Sequence, residues 1–169
     1  MPKAAIIMGS KSDFDVVKPA YDILKKFGVD TSVRVISAHR TPLQAAEFAE
    51  SAVKNGFEVI IAAAGKAAHL GGVIASLTPL PVIGIPVKSS TLDGLDSLLS
   101  TVQMPSGVPV ACVAVNGSEN AGLLAVQILS LKYPALTDGL IKYKKSLADK
   151  IADDDKKLQA ILASEDTGR

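Results

Sequence analysis

Short apolar runs alternate with amphipathic segments along most of this chain, a pattern that predicts alternating strands and helices. The runs are almost continuously aliphatic, which is typical of strands that are buried on both faces. The predicted strands cover residues 4–8, 31–36, 59–63, 82–85 and 110–115. The predicted helices cover residues 13–27, 42–54, a glycine-rich stretch ending near 77, 92–102 and 120–131. Ser12 and Thr41 are the predicted N-caps of the first two helices, and Gly28 and Gly56 are their stop signals.

Five buried strands separated by helices predict parallel βαβ crossovers. The predicted fold class is therefore α/β, a three-layer α/β/α sandwich around a flavodoxin-like five-stranded parallel sheet. At 169 residues the chain fits a single domain, with its α/β core over residues 1–133. Apolar residues then recur at helical spacing among charged ones, which predicts an amphipathic C-terminal helix over 134–163. Its apolar stripe fits its own sheet and a neighbouring subunit equally well, and residues 164–169 are predicted to be disordered.

Composition narrows the class of partner. Hydrophobic residues make up 48% and aromatic residues only 4%, so the core must be aliphatic. The mean hydropathy of +0.31 is high for a small monomer and favours burial of some surface between copies of the chain. The formal net charge of +1 provides no broad electrostatic footprint for nucleic acid.

Several features predict a cytoplasmic protein. No apolar run approaches the length of a membrane span, and the chain enters its first strand directly after Met1-Pro2-Lys3, which leaves no room for a signal peptide. The single cysteine, Cys112, rules out an internal disulfide and fits a reducing compartment. Because Cys112 lies within an apolar run, we expect a buried structural thiol rather than a nucleophile.

The two histidines of the chain occupy equivalent places. His39 follows the second predicted strand and His69 follows the third, each within a loop of small residues. The carboxyl ends of parallel strands form the crevice where such sheets bind ligands. Imidazole is also the side chain whose unperturbed titration lies nearest to neutral pH. The sequence therefore predicts that both histidines belong to one site.

The loop Gly9-Ser10-Lys11-Ser12-Asp13 joins the first strand to the first helix and is suited to an anion such as phosphate. It matches neither the P-loop nor the dinucleotide-binding fingerprint, and a capped turn is the alternative interpretation. Arg40 offers a bidentate fork for phosphate or carboxylate. Asp13 is either a helix-start carboxylate or a partner for a sugar hydroxyl.

Small residues over 62–72 either leave room for a ligand or permit close packing of helix on sheet. Two histidines in separate loops, without carboxylates at ligand spacing, form no recognisable metal pattern.

Four segments together resemble the carboxyaminoimidazole ribonucleotide mutases of de novo purine biosynthesis, in order and at matching spacing over residues 4–131. The segments are Met8-Gly9-Ser10-Lys11-Ser12-Asp13, Ser37-Ala38-His39-Arg40-Thr41-Pro42, Ala67-Ala68-His69-Leu70 and Leu92-Asp93-Gly94-Leu95-Asp96-Ser97-Leu98-Leu99-Ser100-Thr101-Val102-Gln103-Met104-Pro105. The resemblance implies transfer of a carboxyl group from the exocyclic nitrogen of an aminoimidazole ribonucleotide to ring carbon four. It also implies a small-molecule ribonucleotide substrate, no metal, nucleotide or organic cofactor, and a homo-octamer with active sites at subunit contacts.

The resemblance assigns His39 to the family's catalytic histidine. It implies that the residues lining the substrate site are Ser10, Ser12, Asp13, Ser37, Ala38, Arg40, Ala64, Gly65, Ala67, Ala68, His69 and Leu70. Within this set, Ser10, Ser12 and Arg40 are expected to hold the ribose phosphate, and the loop 64–68 to enclose carbon dioxide.

The chain departs from the family pattern at two positions. Lys66 stands where the family usually has glycine, and Gly71 where it usually has proline. A positive φ at Lys66 would cost about 1–2 kcal/mol. Since exposed lysine is the common case, we expect Lys66 to face solvent, the alternative being an ammonium near the substrate's carboxylate or phosphate.

Two other functions stay open. One is a carboxylase that fixes free carbon dioxide on the unmodified ribonucleotide, and the other is a non-catalytic nucleotide-binding module.

Overall fold

The computed structural model describes residues 1–166, and residues 167–169 lie outside the described part of the chain. Its centre is a five-stranded, entirely parallel sheet of order β2-β1-β3-β4-β5. The strands are β1 (Lys3–Met8), β2 (Asp30–Val35), β3 (Val59–Gly65), β4 (Val82–Val87) and β5 (Ala111–Cys112). The helices are α1 (Phe14–Lys26), α2 (Pro42–Ser51), α3 (Leu70–Leu77), α4 (Leu95–Val102), α5 (Ser118–Ser130) and α6 (Pro134–Asp166). This arrangement confirms the predicted three-layer sandwich.

Alternate side chains of the central strands point to opposite faces of the sheet and pack into two separate hydrophobic cores. On one face, residues such as Ile6 and Ile61 pack with α1, α5 and the start of α6. On the other face, Ile7 and Ile60 pack against α2 and α3. Because both faces are covered, β1, β3 and β4 are buried almost throughout, whereas the edge strand β2 is partly exposed.

The approach of α4 to the sheet requires Gly84 of β4. A Cβ atom at this position would clash with the methyl group of Thr101 on α4 and lie 3.1 Å from Cγ1 of Val110. Thr101 cannot easily rotate away from this clash, because its hydroxyl donates a hydrogen bond to the carbonyl of Ser97 at 2.7 Å. A glycine is therefore needed for α4 to pack at this distance.

Strand β5 is shorter than the predicted 110–115 and covers only Ala111–Cys112. The carbonyl of Pro86 faces β5, since it accepts from the amide of Asn116 at 2.9 Å. In a strand, the N–H and C=O of one residue point to the same side, and proline has no N–H. The hydrogen-bond ladder between β4 and β5 therefore lacks a donor at Pro86, and β5 ends early. Cys112, which was expected to be buried, is half-buried.

Helix α4 begins at Leu95 instead of the predicted residue 92. Asp93 and Gly94 have φ values of +56° and +98°, which no α-helix accommodates.

Helix α6 begins at Pro134 as predicted and continues to Asp166, three residues past its predicted end. Residues 164–166 are therefore helical rather than disordered, since they contain no glycine or proline that would stop the helix. Leu136, Leu140 and Tyr143 pack against the α1 and α5 side of the sheet. Leu147 and Ile151 are exposed, so the second half of the stripe does not contact the sheet.

Candidate active site

A cavity of about 690 Å³ opens at the carboxyl edge of the sheet. The strand order reverses between β1 and β3, and such a switch point is where open α/β sheets bind ligands. The loops that follow β1, β2, β3 and β4 form its walls. Of the predicted site residues, those that line it are Ser10, Ser12, Asp13, Ser37, Ala38, His39, Arg40, Ala64, Gly65, Ala67, His69 and Leu70. Ala68, which is buried, is not among the lining residues.

The first wall is a single 3-10 turn, Lys11–Asp13, between β1 and α1. Ser10 is its N-cap, and its Oγ accepts from the amide of Ser12 at 3.2 Å and from the Ser12 hydroxyl at 2.7 Å. The prediction that Ser12 caps α1 is wrong. Ser10 caps the intervening 3-10 turn, and α1 starts at Phe14 with Asp13 at its N-cap position, where no side-chain capping bond forms. Two hydroxyls thus lie together at the cavity wall.

Asp13 places a half-buried carboxyl group beside these hydroxyls. Burial raises its pKa above the ordinary value, and three contacts oppose the shift: hydrogen bonds from Ser12 and the backbone at Ser10, and the charge of Arg40. A carboxylate that is only partly satisfied by the protein is suited to accept hydrogen bonds from the hydroxyls of a ligand.

Arg40 on the second wall is fixed by the loop itself. Its Nη2 donates to the carbonyl of Gly9 at 2.5 Å, and its Nε donates to Oγ of Ser37 at 3.3 Å. Thr41 occupies the N-cap position of α2 as predicted, but its side chain makes no capping hydrogen bond. Its hydroxyl instead donates to the carbonyl of Ser37 and accepts from the Ser37 amide, both at 3.0 Å, which closes the loop that presents His39 and Arg40.

The two histidines meet across the cavity. Nε2 of His39 lies 2.9 Å from Nδ1 of His69, and the rings stand edge to face with centroids 5.0 Å apart. His69 lies at the N-cap of α3, so the start of that helix positions its ring. The prediction from strand ends placed both histidines in one site; their direct hydrogen bond could not be read from the sequence.

The third wall follows β3 and contains Lys66, which is exposed and also lines the cavity. Its φ of +56° is the left-handed conformation that costs lysine about 1–2 kcal/mol. Gly71 lies within α3, where an added Cβ would be 3.6 Å from Cγ1 of Val110.

Sequence reasoning missed the fourth wall, which begins at the last residue of β4 and contains Val87, Lys88, Ser89 and Ser90. Two of its polar side chains are paired: Nζ of Lys88 lies 2.9 Å from Oδ1 of Asp93, and Oγ of Ser89 donates to the Asp96 carboxylate at 2.8 Å. The rule that located the histidines would also have found this loop. However, the predicted fourth strand ended at residue 85, two residues before the observed end of β4, so residues 88–90 were not recognised as the loop at its carboxyl end.

Residues 1–166 contain no cluster of three or more His, Cys, Asp or Glu side chains arranged to hold a metal ion. Among the same residues, no helix combines the length and apolarity needed to cross a membrane.

Comparison with known proteins identifies the family. The family model described as AIR carboxylase matches residues 3–150. The chain is 53% identical to N5-carboxyaminoimidazole ribonucleotide mutase of Thermotoga maritima over 161 residues, covering 95% of this chain and 94% of that protein. It is 56% identical to the protein of the same name from Saccharolobus solfataricus over 151 residues, covering 89% and 96%. The crystal structure of Treponema denticola PurE is 31% identical with a TM-score of 0.83, covering 94% of this chain and 99% of that one. The chain therefore belongs to the AIR carboxylase family.

Proposed function

We propose that this chain is an N5-carboxyaminoimidazole ribonucleotide mutase, which moves the carboxyl group from the exocyclic nitrogen to ring carbon four and forms 4-carboxy-5-aminoimidazole ribonucleotide. The observation that carries the proposal is the His39–His69 pair, 2.9 Å apart in a cavity walled by anion-binding groups. High identity to proteins named for this activity supports the same conclusion.

The ribose phosphate is assigned to the first two walls. Ser10 and Ser12 offer hydroxyls at the start of a helical segment, and Arg40 adds a fixed cation. Phosphate is favoured where backbone amides and hydroxyl groups converge with positive charge. The carboxyl group of Asp13 is available to a ribose hydroxyl. Binding at this end of the cavity would hold the imidazole ring beside the histidines, so that remote binding energy orients the reacting atoms.

The chemistry needs one proton to be given and taken back. Protonation of the exocyclic nitrogen lets its bond to the carboxyl carbon break, with the electron pair remaining on nitrogen and carbon dioxide released. The enamine-like ring carbon four then attacks carbon dioxide and forms the new carbon–carbon bond. Loss of the proton from that carbon restores aromaticity. A single acid–base group, His39 in this proposal, can perform both transfers, and no net proton is consumed.

The contact with His69 leaves Nδ1 of His39 as the nitrogen that exchanges this proton. A neutral His39 that donates its Nε2 hydrogen to Nδ1 of His69 presents a lone pair at its own Nδ1. Protonation there gives an imidazolium that still donates to His69. The contact is thus compatible with both protonation states of His39, and His69 acts as a positioning residue.

Carbon dioxide must stay in place between release and recapture. Ala64, Gly65 and Ala67 border the cavity and add little side-chain volume to it. A small pocket from which water is excluded would limit loss of the free gas to solvent.

We further propose that the chain forms a homo-oligomer, and the resemblance implies an octamer. Exposed apolar side chains along α4 and the second half of α6 support association, among them Leu95, Leu99, Leu147 and Ile151. The cytoplasmic location stays a prediction.

A direct assay tests the proposed function. The purified chain, without added metal or nucleotide, is given either the N-carboxylated ribonucleotide or the uncarboxylated ribonucleotide with bicarbonate, and formation of the ring-carboxylated product is followed. We expect faster turnover of the N-carboxylated substrate. Faster turnover of the uncarboxylated compound would favour the carboxylase alternative.

His39→Asn is the matched control for catalysis. It should reduce turnover by about 100-fold or more, the scale of general acid–base contributions, while nucleotide binding is retained. If the original chain turns over substrate no faster than His39→Asn does, and both bind the nucleotide, the non-catalytic binding module is favoured.

A further inference from the structure

Lys66 holds a backbone conformation that is unusual for its residue type. Among residues 1–166, the non-glycine residues with positive φ are Lys66, Asp93 and Asn116, each at +56°. Aspartate and asparagine enter this region several-fold more often than other residues, whereas a long side chain gains nothing from it. Local strain of this kind persists where the surroundings enforce it, and it concentrates at functional sites.

Lys66 lines the cavity, and its charge has no acidic partner within residues 1–166. The β3–β4 register pairs Gly65 with Val87, the last residues of the two strands, so Lys66 and Lys88 are the first residues after neighbouring strand ends. Lys88 is paired with Asp93, but within the described chain no acidic side chain lies within ion-pair distance of Lys66. Its ammonium is therefore free to meet an anion that enters the cavity.

The position of Lys66 indicates which anion this is. Ser10, Ser12 and Arg40 form one cationic and hydroxyl-rich end of the cavity on the loops after β1 and β2. Lys66 lies on a different loop, three residues before His69, and thus belongs to the end where the ring reacts. Resting on the function proposed above, we propose that Lys66 binds the carboxylate of the nucleotide and is a specificity-determining residue that favours carboxylated over uncarboxylated aminoimidazole ribonucleotide.

The test compares two ligands that differ by that one group. Affinities for the ring-carboxylated product and for the uncarboxylated ribonucleotide are measured by calorimetry for the original chain, Lys66→Asn and Lys66→Arg. Asparagine tolerates the left-handed backbone and removes the charge, whereas arginine keeps it. We expect Lys66→Asn to weaken product binding about tenfold, as for loss of a charge-assisted contact, with affinity for the uncarboxylated ligand changed by less than about twofold. Lys66→Arg should retain most of the difference between the two ligands.

Lys54→Asn is the matched control, because Lys54 is an exposed lysine outside the cavity and its loss changes the net charge equally. It should leave both affinities unchanged. Added salt should weaken product binding more in the original chain than in Lys66→Asn.

Two outcomes overturn the proposal. Equal weakening of both ligands by Lys66→Asn would place the ammonium at the phosphate, and unchanged affinity for both would place it in solvent. Failure of the proposed function would be seen separately, as absence of turnover of the N-carboxylated ribonucleotide by the original chain, whereas the affinities of the two ligands report on Lys66.

Discussion

Replacing His69 tests whether the histidine pair acts as a unit. His69→Phe keeps a ring beside His39 but removes the nitrogen that lies 2.9 Å from Nε2. A hydrogen bond of this type contributes about 0.5–1.5 kcal/mol, which corresponds to about 2- to 12-fold in rate if it is fully expressed in the transition state. We therefore expect kcat to fall by that factor while KM changes by less than about twofold, because the bond orients the base and does not hold the nucleotide.

A double-mutant cycle makes this prediction decisive. Initial rates of product formation are measured for the original chain, His39→Asn, His69→Phe and the double variant across the neutral pH range. If His69 acts through His39, His69→Phe causes no further loss once His39 is absent, and its own pH–rate profile is displaced from that of the original chain. His69→Asn returns a polar atom close to the position of Nδ1 and should recover part of the rate. Equal losses in both backgrounds would refute the coupling.

Three further changes test the site, the fold and the assembly. Because burial raises the pKa of Asp13, the folded chain holds that proton more tightly than the unfolded chain, and stability declines as pH rises through this titration. Asp13→Asn should therefore raise the Tm at neutral pH but raise KM about tenfold or more, measured by thermal unfolding and initial rates. Gly84→Ala should destabilise the fold by about 1–3 kcal/mol, seen in urea unfolding, because a methyl group collides with Thr101. Removing residues 147–169 should reduce the oligomer mass in light scattering, and an unchanged mass would exclude the second half of α6 from the interface.

The parts of the fold that could be predicted are those that burial dictates. The central strands are aliphatic on both faces, so their sequence indicates strands buried on both sides. Ile60 and Ile61 indeed pack into opposite cores. The end of β5 could not be predicted in this way. Proline is visible in the sequence, but only the hydrogen bond from the Asn116 amide to the Pro86 carbonyl shows that the side of Pro86 without an N–H faces β5.

The site was predictable as a location and less so as a set of contacts. The rule that ligands bind at the carboxyl ends of parallel strands predicted one site for His39 and His69, although the loop structures were unknown. Their hydrogen bond depends on ring orientations that the start of α3 and the closed loop after β2 impose. The sequence likewise did not show that Ser10 rather than Ser12 is the capping serine, because both residues are equally good caps by type and the 3-10 turn decides between them.

The fate of the carboxyl carbon tests the central proposal most directly. The chain is given N-carboxylated ribonucleotide labelled in that carboxyl group, in a buffer of unlabelled bicarbonate, and the product is isolated at low turnover. A mutase that holds carbon dioxide beside the ring predicts that most of the label is found at ring carbon four. Product that carries mainly unlabelled carbon would contradict transfer within the site and show that free carbon dioxide is the substrate.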